Sequence, residues 1–82
     1  MTQNLSHVEQ YHIGIWRHCI AWNASNISYH LSQIENLPKQ RWMTDEYRQR
    51  CRQLNDKNIA RYRRNIAILE ARIAVLEDEH YV

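Results

Sequence analysis

Ile13, Ile20, Ile27 and Ile34 stand seven residues apart, and Trp16, Asn23, His30 and Leu37 fill the alternating positions between them. Residues at alternating spacings of three and four return to one side of an α-helix every two turns, so this series predicts a helical seam that faces another helix. A second seven-residue series, Val8, Ile15, Trp22 and Tyr29, is offset by two positions. That offset turns it about 200° around the helix, onto the opposite side. One neighbouring helix cannot cover both faces.

The helix bounds follow from local chemistry. Ser6-His7-Val8-Glu9 fits a capping box, in which hydroxyl and carboxylate each satisfy an orphan backbone donor, so helix one is placed at 7–36. Pro38 disfavours the helical conformation at Leu37, and 37–43 reads as the connection. Thr44, with Asp45 and Glu46 in a first turn that favours negative charge, opens a second helix at 44–80. Asn55, Asp56 and Asn58 compete for their own backbone, and a break near 55–58 would give three helices instead of two. With one Gly and one Pro in 82 residues, strands and tight turns have little to build on. The expected fold class is all-α: an antiparallel helical hairpin in a single domain, 1–82.

Helix two carries its own seam of Ile59, Tyr62, Ile66, Leu69, Ile73 and Leu76, with Ile68 and Val75 on the far side. Tyr47, Cys51 and Leu54 continue an apolar stripe upstream, but the step from Leu54 to Ile59 shifts its phase. An antiparallel hairpin that sets Asn36 near Thr44 sets Ser6 near residue 74. Val75 and Leu76 then project past helix one without cover, and exposed apolar surface at a helix end implies a partner. A chain this short also buries little surface alone. Two hairpins joined in a four-helix bundle, as a homodimer, would cover every surplus face. The expected partner-interface residues are Ile15, Trp22, Tyr29, Val75 and Leu76. Trp, Tyr and Arg are enriched at binding hot spots, and three Trp and five Tyr are many large rings for a chain without Phe.

The net charge of +2 is unevenly spread. Residues 44–64 hold seven Lys or Arg against Asp45, Glu46 and Asp56, while Arg72 faces four acids in the tail. Arg50, Lys57, Arg61 and Arg64 fall in one sector of helix two opposite the Tyr62, Leu69 and Leu76 stripe, over about 21 Å of axis. Such a row suits phosphates or an acidic protein groove, and equally a solvated face with Asp56 as a local partner. The order from Arg48 to Arg64, followed by Ile66, Leu69, Ile73 and Leu76, resembles a basic-region leucine zipper, in which Asn58 matches the family's reading asparagine. The resemblance covers only the second half of the chain. Asn65 stands where the family has an arginine, the zipper spans barely two heptads, and a long apolar helix precedes it. The chain is therefore not read as a member of that family.

Catalytic logic is missing from the pattern. No glycine loop, paired carboxylates or Ser-His-Asp set can be assembled, and a thin helical protein offers no deep cleft, so no enzyme is expected. His7, His12, His18, His30 and His80 contain no pair at the i, i+4 ligand spacing, and adjacent His18 and Cys19 diverge by about 100°. No metal or other cofactor is expected, and His30 reads as a polar seam residue. Cys19 and Cys51 read as reduced, buried thiols that lie out of register for a disulfide. No apolar run reaches the ~18 residues of a membrane span and no signal-peptide order opens the chain, which points to the cytoplasm and leaves the Asn23 and Asn26 sequons without meaning. The leading expectation is a small non-enzymatic protein that regulates or inhibits a macromolecular partner by binding it, with the economy of phage or mobile-element accessory proteins. Nucleic-acid binding through the basic face is the alternative.

Overall fold

The computed structural model describes residues 5–79, and within them the chain is an all-α helical hairpin. Helix α1 (His7–Asn36) leads through a single 3₁₀ turn (Leu37–Lys39) to helix α2 (Asp45–Glu79), which packs antiparallel along α1. The capping box forms as the sequence requires: the Glu9 amide donates to Ser6 Oγ at 3.2 Å and the Ser6 amide to Glu9 Oε1 at 3.0 Å. Thr44 sits one residue before α2 as its cap, its Oγ1 accepting from the Tyr47 amide at 3.1 Å. Among residues 44–80, His80 lies outside the described residues, as do Tyr81 and Val82.

Two expectations about chain direction are corrected. Leu37 adopts right-handed helical angles (φ −55°, ψ −46°) despite preceding Pro38, and its amide bonds Ile34 O. Burial of the Leu37 side chain offsets the local steric preference. Pro38 falls in the first turn of the 3₁₀ segment, where its missing N–H costs nothing. The chain therefore keeps the direction of α1 through Lys39, and residues 40–44 make the reversal. Arg48 holds it, donating from Nη2 to Gln40 O at 2.7 Å and from Nε to Leu37 O at 3.3 Å, with Asp45 Oδ1 3.0 Å from Nη1.

The later reversal moves the register by about two turns from the one expected. Asn23 meets Asn65, His30 meets Asn55 and Arg17 meets Glu77. Val75 and Leu76 consequently lie beside Trp16 instead of projecting past α1.

The continuous second helix expected from the sequence forms, and the break near 55–58 that was its alternative does not. Helix α2 runs unbroken from 45 to 79. Asn55 turns its Nδ2 back onto Cys51 O at 2.8 Å and offers Oδ1 to His30, so its polar group is spent on the helix and the seam instead of on a break.

The core is a single row. Ile13, Leu37, Ile59 and Ile73 are its buried apolar residues, joined by Asn23 at 5% exposure. Within that row two polar layers fix the register, because a slipped hairpin would strand their buried groups. Asn23 Nδ2 donates to Cys19 O at 2.7 Å while its Oδ1 accepts from Asn65 Nδ2 at 3.2 Å. In the other layer His30 Nδ1 lies 2.8 Å from Asn55 Oδ1. The Asn55 amide is oriented by its bond to Cys51, an oxygen only accepts, and the proton therefore resides on His30 Nδ1.

Candidate protein interface

The surface of the hairpin is more informative than its core. Val8, Ile15, Trp22 and Tyr29 are 64%, 41%, 58% and 58% exposed, so the second series of α1 is solvent-facing along its whole length. Helix α2 carries a matching series that the sequence reading treated only in pieces. Tyr47, Leu54, Arg61, Ile68 and Val75 are spaced by seven, all are exposed, and only the central member is not apolar.

Both series border the same broad side. Trp16, Ile68, Val75 and Leu76 line one shallow groove, and a second depression bounded by Cys19, Asn23, Asn65 and Ile68 continues it. Further along, the Trp22 ring stands edge-on to Tyr62 at 5.9 Å, bridging the two helices. The Arg17–Glu77 ion pair, at 3.4 Å, lies on the reverse side, since each partner is two residues from a series member and so about 200° around its helix.

These contacts revise the picture of single residues. Trp22 does not point straight away from the seam: its ring reaches over the flank to Tyr62. Tyr62 is the hub of this region, because it also stacks on His30 at 5.7 Å and 25° and lies under the Arg61 guanidinium, 5.1 Å from the ring centroid. Of the expected interface residues, Ile15, Trp22, Tyr29 and Val75 are exposed and Leu76 is half-buried in the groove wall. Sequence reasoning missed the Asn23–Asn65 layer. Asn58, Asn65 and Arg72 recur by seven on the edge of the seam, which is the signal that marks Asn65 as more than a mismatch to the zipper pattern.

Arg50, Lys57, Arg61 and Arg64 are all exposed. Among the described residues no carboxylate lies within 4 Å of any of them, and Asp56 does not pair with them. Arg61 stands apart from the rest, its guanidinium engaged on the Tyr62 ring and hydroxyl. Cys19 and Cys51 are free and half-buried. His30 occupies the seam, and among the described residues no three His, Cys, Asp or Glu side chains converge on one point. Likewise no described helix is long and apolar enough to cross a membrane. Comparison with protein-family models, with curated proteins and with solved structures returns no match.

Proposed function

We propose that this chain is a small, non-enzymatic, cytoplasmic protein that works by binding a protein partner through the side carrying Trp22, Tyr29, Ile68 and Val75, as a regulator or inhibitor of that partner in the manner of phage accessory proteins. The observation that carries this reading is the pair of exposed, in-phase apolar series on one side of a hairpin whose core is only a single row. The accessible surface of 6468 Å² exceeds the roughly 5,200 Å² typical of a folded monomer of 10.0 kDa.

The test is capture by the immobilised chain from cells that express it, comparing wild type with Trp22→Ala plus Tyr29→Ala. A protein retained by the first and lost by the second supports the reading. Equal retention by both places the binding surface elsewhere.

The second reading, nucleic-acid binding, draws on the row of Arg50, Lys57 and Arg64, which has no carboxylate partner among the described residues. Phosphate contacts weaken steeply with salt, and Arg61→Glu with Arg64→Glu is expected to abolish any such binding without loss of helix. Affinity retained in that double variant removes the second reading.

A further inference from the structure

We infer that the occupant of the exposed apolar side is a second copy of this chain, stacked face to face across a two-fold axis with its helices reversed. This rests on the same surface as the function proposed above and names what covers it.

The centre of the α1 series places the axis. On α1 the midpoint of Val8, Ile15, Trp22 and Tyr29 falls between His18 and Cys19, and on α2 the series member level with that midpoint is Ile68. The hairpin register brings Cys19 and Ile68 to one depression, at the same level. A single two-fold crossing the face there sets Ile15 against Trp22 of the second copy, Val8 against its Tyr29, and Ile68 against its own equivalent.

Charge selects the same arrangement. The axis brings Lys57 and Arg61 of one copy alongside Asp78 and Glu79 of the other, and the reciprocal pairs form by symmetry. A two-fold running along the helices would instead set α2 of one copy over α1 of the other, with the basic segment 48–64 over residues 24–40, where Glu35 is the one acid and Lys39 opposes it. Area is sufficient as well: the hairpin measures 58 × 19 × 14 Å, so its broad side presents about 1,100 Å² in projection against the about 800 Å² per partner of a standard interface. Arg61 stands opposite Val75 of the second copy, where its stem covers apolar surface while its guanidinium stays over the Tyr62 ring.

The experiment uses the full chain with Cys19→Ser and Cys51→Ser. In that background Ile68→Cys is oxidised with diamide, alongside Leu31→Cys, an exposed position two residues past Tyr29 and thus on the reverse side. The expected result is a disulfide dimer from the first variant and none from the second, because only a residue on the axis meets its own equivalent within disulfide reach. Sedimentation equilibrium then reads the charge pairing at low salt. Lys57→Glu with Arg61→Glu is expected to weaken the dimer about tenfold or more, and adding Asp78→Lys with Glu79→Lys to restore it.

A chain that sediments as a 10.0 kDa species up to 100 µM overturns the inference. If that monomer still captures another protein through Trp22 and Tyr29, the function stands and only the occupant changes; if it captures nothing, both fall. Dimerisation without the Ile68→Cys crosslink overturns the axis and with it the inferred arrangement.

Discussion

Asn65→Ala is expected to destabilise the hairpin, while replacing both Asn23 and Asn65 by Leu is not. Asn23 is 5% exposed, and its amide is divided between two partners: Nδ2 donates to Cys19 O at 2.7 Å and Oδ1 accepts from Asn65 Nδ2 at 3.2 Å. Removing Asn65 leaves that oxygen without its cross-helix donor. A buried polar atom so stranded costs about 1–3 kcal/mol. The depression between Cys19, Asn65 and Ile68 is open enough to admit water, which argues for the lower end, about 1 kcal/mol. For a domain of this size that corresponds to a fall in melting temperature of about 4–8 °C.

The double Leu variant removes both polar groups at once and fills the layer, so its melting temperature is expected to equal or exceed that of wild type. The assay is circular dichroism at 222 nm through a thermal ramp, at one fixed protein concentration because association also moves the midpoint. An unchanged midpoint for Asn65→Ala, or a double variant that falls as far as the single, would show that this layer is not a satisfied buried pair.

Other perturbations separate the parts of the fold. Ile59→Ala, at a 5% exposed seam position, is expected to cost about 2–5 kcal/mol, towards the lower end because a two-helix core relaxes into solvent readily; urea unfolding measures it. Arg48→Ala removes both carbonyl contacts that hold residues 37–40 against α2 and is expected to cost about 1.5–3 kcal/mol, and Arg48→Lys to recover only part, because an ammonium cannot span the same fork of acceptors. Ser6→Ala breaks the capping box and is expected to cost about 0.5–2 kcal/mol, read as increased fraying by amide exchange over residues 7–10. Arg17→Ala is expected to change stability by less than about 1 kcal/mol, since its 3.4 Å ion pair with Glu77 is exposed to solvent.

The α1 bounds, the capping box, the cap at Thr44 and the two-faced character of both helices were legible in the sequence, because each is set by residues within one or two turns of one another. What local reasoning missed is tertiary in origin. The penalty Pro38 places on Leu37 was correctly identified, but it is outweighed by burial of that leucine against the hairpin. Asn55 does carry the competing side chain of a helix breaker, yet His30, 25 residues away, takes up its oxygen. Register followed from the first of these: one extra 3₁₀ turn after Asn36 moves every cross-helix pair, and no periodicity within a single helix reports that shift. The exposed α2 series was hidden by the phase step near Leu54, which reads as an irregularity in the seam until Tyr47, Leu54, Ile68 and Val75 are seen to share the outer face.

The central claim is that this outer face is an interface and not part of the monomer's core. Thermal melts of wild type and of Trp22→Ala with Tyr29→Ala, each over a hundredfold range of concentration, test it most directly. Trp22 also packs on Tyr62 within the hairpin, so the variant is expected to lose about 0.5–1.5 kcal/mol of monomer stability beyond any association. The predicted result is a wild-type midpoint that climbs with concentration and a variant midpoint, somewhat lower, that does not move. A concentration-independent midpoint in both proteins, with the variant falling as far as the seam variant Ile20→Ala with Ile27→Ala, would contradict the claim and assign both faces to one core.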